Sequence, residues 1–282
     1  MSFLRIILAQ NEQQYRAAQH FVAPYEQHCC SLMHKIIAGE GGLHVIAEQN
    51  RIRGVLFFSQ GGTVLPCLPH RSKDLAVLLQ QFFHEKIVAC INGKADYVTF
   101  LNKLLTDTEE HELSDTRFYY LMEHEYSIHL NLVPPYTMTH CTAAHADALF
   151  PLHFSYLLEE VQSPLSDPNP VEERQVLKNI LRSQYVVAVL KNGMPVSKAQ
   201  TNAKGLQYVQ IGGVYTERQS RRHGFAGMLV SDIADWAAQQ HKKTVLFVNR
   251  YNTQALHSYQ NAGFTAVDNY IISYFVVPKT SL

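Results

Sequence analysis

The chain has 282 residues, 46% of them hydrophobic, which is too long for one average domain and ample for two cores. Its 24 basic and 24 acidic residues give a formal net charge of +0, and neither sign forms a long run. That balance argues against nucleic acid or an anionic membrane as the main partner, since both need a basic face.

Met1–Gln10 is apolar but short, broken by Arg5 and followed by Asn11-Glu12-Gln13-Gln14. It lacks a basic leader and a small-residue cleavage site, so it reads as an edge strand rather than a signal peptide. No apolar run approaches the ~18 residues of a membrane span. In the first half, strands are predicted at Leu43–Glu48, Gly54–Ser59 and Thr63–Leu68, joined by turns at Gln49-Asn50 and Gly61-Gly62. Helix Asp74–His84, strand Lys86–Ile91, helix Lys94–Leu105 and strand Arg117–His124 follow. Pro134-Pro135 is the clearest internal break, and it sets two domains, 1–135 and 136–282.

Beyond it the same order returns. Strands are predicted at Tyr185–Leu190, Pro195–Asn202 and Leu206–Thr216, with Asn192-Gly193 a strong hairpin signal. A helix from about Arg222 to Gln240 places Phe225, Leu229, Ile233 and Trp236 on one stripe. Strand Thr244–Asn249, helix Thr253–Ala262 stopped by Gly263, and strand Asn269–Val277 complete the copy. The class is α/β with mixed sheets, in two tandem copies. Cys29, Cys30, Cys67, Cys90 and Cys141 form no Cys-x-x-Cys pair, which fits buried reduced thiols in a cytoplasmic protein. His140, Cys141 and His145 cluster, but at no common zinc spacing, so no metal is expected.

The most informative stretch is Ile211-Gly212-Gly213-Val214-Tyr215-Thr216 and its continuation through Arg221-Arg222-His223-Gly224-Phe225-Ala226. It joins a strand to a helix start through small residues, where backbone amides can approach a ligand closely. Such an end binds an anion, and Arg221 and Arg222 add charge where a pyrophosphate would need it. A second block holds Asn249-Arg250-Tyr251-Asn252 and Tyr259-Gln260-Asn261-Ala262-Gly263-Phe264. Tyr259 lies seven residues after Asn252, about two helical turns, so both are expected on one face. Taken alone, Asn252 reads as a helix cap and Tyr259 as a packing aromatic.

Together the two blocks closely resemble the GNAT superfamily of acetyltransferases. Arg221-x-x-Gly224-x-Ala226 matches its pyrophosphate loop, and Asn252 with Tyr259-x-x-x-Gly263-Phe264 matches its second cofactor motif, over about Thr137 to Val277. The resemblance implies two tandem GNAT-like acyl-CoA N-acyltransferase domains and acetyl-CoA as cofactor. Val214, Tyr215 and Thr216 would offer strand backbone to the pantetheine arm. The amides of Arg222, His223, Gly224, Phe225, Ala226 and Gly227 would cradle the pyrophosphate beside Arg221, with Asn252 also in contact. Tyr259 would protonate the departing thiolate.

The general base is unassigned. Some superfamily members carry a Glu on the strand after the cofactor helix, where this chain has Phe247; Glu159, Glu160 or a water relay remain open. The first half resembles the same fold with its loop erased, because Leu65–Arg71 has no glycine and carries Pro66 and Pro69. The resulting expectation is an N-acetyltransferase acting on a small-molecule or peptide amine by direct attack in a ternary complex. A non-catalytic acyl-CoA sensor, or an aminoacyl transferase of the tandem type, are the rivals. A homodimer is left open.

Overall fold

The computed structural model describes residues 4–49, 51–108, 110–127, 131–161 and 167–277. The turn residue Asn50 and most of the Pro-rich segment before Pro170 lie outside them. The chain opens with β1 (Leu4–Leu8), α1 (Glu12–Val22), α2 (Glu26–Ile37), β2 (Leu43–Glu48), β3 (Arg51–Phe58) and β4 (Thr63–Cys67). Next come α3 (Lys73–Phe83), β5 (Cys90–Lys94), α4 (Ala95–Thr106) and β6 (Leu113–His124). The later elements are β7 (Tyr136–His140), α5 (Ala146–Tyr156), α6 (Pro170–Ser183), β8 (Val186–Lys191), β9 (Met194–Lys204) and β10 (Tyr208–Thr216). They end with α7 (Phe225–Ala238), β11 (Lys243–Asn249), α8 (Thr253–Asn261) and β12 (Phe264–Phe275). The second series repeats the first element for element: a strand, two helices, a three-strand meander, then helix, strand, helix, strand.

The first compact unit runs to Tyr119 and takes back the residues from Asp268 onward. Its strands follow the order β1, β2, β3, β4, β5, with β4 and β5 parallel and the rest of the meander antiparallel. Tyr270–Tyr274 of β12 then pairs antiparallel with β5, Ile272 opposite Asn92. Sequence reading divides the chain once, after Pro135. The observed cuts fall after Tyr119 and after Val267, because β12 supplies a strand that no residue before Pro135 supplies. The core gathers Leu32, Met33, Ile46, Leu56, Leu68, Leu79, Ile91 and Phe275.

Strand β5 begins four residues later than Lys86–Ile91 would have it. Glu85 turns the chain with φ of 60°, and Ala89 and Cys90 donate their amides to Gly62 O at 2.9 and 3.2 Å. The final strand likewise starts at Phe264 rather than Asn269.

The second unit spans Tyr120–Val267. Strands β7, β8, β9 and β10 form an antiparallel meander, and β11 lies parallel to β10. Alternation decides which helix each side chain meets. Val187, Val189, Ile211 and Leu246 pack under Leu229, Val230 and Ile233 of α7. Val186 and Ala188 face the other way, onto Leu149 and Phe150 of α5 and Leu177 and Leu181 of α6. None of the five cysteines is in a disulfide, and all are buried. Among the described residues no helix is long and apolar enough to cross a membrane, and no cluster could hold a metal ion.

Candidate functional site

Strands β10 and β11 keep register from Tyr208↔Lys243 to Ile211↔Leu246, and no further. Gly212 and Gly213 follow at once. A bulge there shifts the β9 register between Gly212↔Gln200 and Tyr215↔Lys198, so one extra residue bends β10. Glycine is required at both positions. Gly213 has φ of +58°, and a Cβ on Gly212 would fall 1.9 Å from Asn202 Nδ2. Beyond the bulge, Tyr215 and Thr216 stay paired with β9 on one edge while the edge of Val214–Thr216 toward β11 is unpaired. The two parallel strands therefore open into a fork.

The turn out of β10 ends above that fork. Arg222 and Gly224 take left-handed φ of 68° and 76°, while Arg221 and His223 do not. Alternation of this kind turns successive N–H groups inward as a nest. Gly224 caps α7 with no side-chain bond, and the first helical bond runs from Met228 N–H to Gly224 O. The amides from Arg222 through Gly227 consequently have no acceptor among the described residues. Sequence reading starts this helix at Arg222; the nest delays it to Phe225. Phe225 itself is buried with His223 stacked on it at 5.3 Å, so it offers the nest its amide and not its ring.

The two arginines differ. Arg222 is exposed and makes no ion pair among the described residues. Arg221 donates from Nε to Thr216 O at 3.0 Å and from Nη2 to Glu159 Oε2 at 2.9 Å. Glu159 sits in the π-helical turn Leu157–Val161 and also accepts from the Tyr215 hydroxyl at 2.9 Å, with Arg218 Nε 3.2 Å away. The Tyr215 hydroxyl and then Arg221 hold this carboxyl below the usual range. A carboxylate so tied to cations is a poor proton acceptor.

Helix α8 packs on α7 where Gly227 lies 3.5 Å, measured from its Cβ position, from Ser258 O. Asn252 is its N-cap, with Oδ1 accepting from the Ala255 amide at 3.0 Å. Its side chain folds back on the helix end. Tyr259 is buried in the α7 cluster beside Phe264, and its hydroxyl has no hydrogen bond among the described residues. Burial, with Tyr156 and Glu160 nearby, pushes its phenol well above the ordinary value, so it keeps its proton.

One residue escaped the sequence reading. Lys198 on β9 is 0% exposed, and its Nζ donates to Gly213 O at 2.9 Å. Burial pulls its pKa down to about 7. Beneath it, His153 of α5 is buried with both ring nitrogens lacking a hydrogen bond. Burial, then Lys198, takes that imidazole to about 4.

Both halves of the chain carry the GNAT fold, in tandem. The model of the family described as FR47-like protein matches residues 194–273, the stretch from β9 into β12. An acetyltransferase from the GNAT family of Colwellia psychrerythraea superposes with a TM-score of 0.62 at 14% identity, covering 97% of this chain and 100% of that one. A GCN5-related N-acetyltransferase from Sphaerobacter thermophilus gives 0.64 at 12% identity, covering 96% and 94%. A tandem GNAT protein from the clavulanic acid biosynthesis pathway gives 0.58 at 10% identity, covering 98% and 99%. No curated protein matches the sequence.

Proposed function

We propose that the second unit binds acetyl-CoA and transfers its acetyl group to an amine. The observation that carries this reading is the nest from Arg222 to Gly227, beside a strand fork and flanked by the Arg222 guanidinium, which has no partner among the described residues. Open amides at a helix N-terminus with a loose cation suit a pyrophosphate, and the unpaired edge of Val214–Thr216 suits an extended amide-bearing arm. When bound, acetyl-CoA supplies an activated acyl carbon on a thiol leaving group.

The chain's own contribution is binding, alignment and proton holding. The nest and Arg222 fix the phosphate end, and the fork fixes the arm, so an acceptor meets the acyl carbon at a set distance and angle. Alignment of two reactants in this way can supply ~7–11 kcal/mol of a barrier. Tyr259 holds a proton on its hydroxyl oxygen, available to the departing sulfur. Direct attack of the amine on the acyl carbon within a ternary complex is part of this proposal.

Calorimetric titration of coenzyme A into the wild-type chain and into Arg222→Ala tests the reading. Binding by the wild type and roughly tenfold weaker binding by the variant are expected, the worth of a charge-assisted contact. Absence of binding by the wild type would remove the proposal.

A further inference from the structure

Lysine is almost never fully buried without an ionic partner. Lys198 breaks that rule: among the described residues its Nζ meets only Gly213 O at 2.9 Å, Gln200 Oε1 at 3.3 Å and the Tyr156 ring at 4.9 Å, and no carboxylate pairs with it. Its place is also particular, because Gly213 is the bulge residue at which β10 leaves β11. The amine thus sits at the root of the fork, on the sheet face that carries α5. The Tyr156 ring lies 4.9 Å from Lys198 Nζ, and the Tyr156 phenol adds, after burial, to the rise of the Tyr259 phenol.

We propose that Lys198, as the neutral amine, is the general base that takes the proton from the acceptor nitrogen, an inference resting on the acyl-transfer reading above. The acceptor arrives as a neutral amine. As its C–N bond forms and the C–S bond breaks, the nitrogen's proton passes to Lys198 Nζ and the sulfur receives the Tyr259 proton. Exchange with solvent returns Lys198 and Tyr259 to their starting forms, and no oxidant or further reactant is needed.

Burial is what favours the neutral form of Lys198, and Cys141, from the segment before α5, works weakly against it. His153 and Tyr156 face it from α5, and Tyr215 stands opposite it on β10. Of the nearby carboxylates, Glu159 is held by Tyr215 and Arg221, and Glu173 lies 3.6 Å from His153. A base half-neutral near pH 7 is matched to physiological proton transfer. The two unsatisfied His153 nitrogens mark the same buried spot as lacking a polar partner, which a bound acceptor supplies.

The test uses the full chain, acetyl-CoA, and a panel of spermidine, tyramine and a peptide with a free N-terminus, following thiol release against pH. Lys198→Met and Lys198→Gln are compared with wild type, with folding and coenzyme A affinity measured in parallel. The wild-type kcat/KM should fall on the acid side with a midpoint near the value of about 7 set by burial. Both variants should bind coenzyme A normally, lose ~10²–10⁴-fold in kcat/KM and lose that acid limb. Variants with wild-type rate and profile overturn the proposal. Should neither variant fold, carbon-13 titration of the wild-type lysine side chains decides: one lysine titrating near neutrality supports it, none overturns it. Coenzyme A binding without turnover of any panel amine overturns the base role and leaves a sensor. No coenzyme A binding at all overturns the underlying reading instead.

Discussion

The Arg221 guanidinium donates to the Glu159 carboxylate over 2.9 Å, while that of Arg222, next along the chain, has no partner among the described residues. Glu159 therefore places a negative charge beside a site proposed for phosphates. Glu159→Gln should tighten coenzyme A binding by roughly two- to fivefold, the scale of a partly exposed charge pair. The gain should shrink as salt rises. Calorimetry at low and high salt checks this, and weaker binding by the variant would show that Glu159 instead holds Arg221 in its binding pose. Because the Glu159 pKa is depressed in the folded chain, its contribution to stability is present above the ordinary carboxylate range and fades as pH falls through the lowered value.

Gly224 has φ of 76°, where an L side chain is strained. Gly224→Val should cost ~1–2 kcal/mol of stability for the left-handed backbone. It should also weaken coenzyme A by more than the roughly tenfold expected of Arg222→Ala, since it closes the nest itself. A folded Gly224→Val chain with unchanged affinity would sink the loop assignment.

A titration of the whole chain should find one coenzyme A site. The corresponding helix of the first unit, α3, spends an amide on its own cap, Ser72 Oγ accepting from Leu75 N–H at 3.1 Å. Pro66 stands in β4 opposite Leu56, where it offers no N–H. Two sites per chain, by calorimetric stoichiometry, would contradict this.

Hairpins and the tandem order were legible because they rest on local chemistry. Asn192 and Gly193 both take positive φ, at 49° and 84°, as their turn demands. The anion loop was legible as small residues after a strand, though not the nest that shortens its helix. Helices α1, α2 and α6 were not foreseen, since amphipathic polar runs such as Glu172-Glu173-Arg174-Gln175 read equally as solvated chain. Lys198 was invisible for a stronger reason. Ser197-Lys198-Ala199-Gln200-Thr201-Asn202 alternates like an exposed strand, and only α5, arriving from some forty residues earlier, buries it.

Tyr259→Phe should leave fold and cofactor affinity nearly intact and lower kcat by about tenfold, near or below the ~10²-fold floor for positioned acids, because a thiolate also leaves unaided. KM should change little. Tyr259→Ala, by contrast, should destabilise by ~3 kcal/mol through the cavity left beside Phe264. Wild-type turnover by Tyr259→Phe, with chemistry rate-limiting, would leave the tyrosine as packing only.

The strand that β12 lends to β5 bears on how the protein is made. Residues 120–267 are synthesised between the two parts of the first unit's sheet. At ~5–20 residues per second, β5 waits on the order of ten seconds with one edge bare while the ribosome completes the insert. The backbone of Cys90–Lys94 has unpaired N–H and C=O groups along that edge during the interval, the kind of template that invites strand exchange between nascent chains. Chaperone dependence during translation, rather than instability of the finished protein, should thus limit how much soluble chain a cell accumulates.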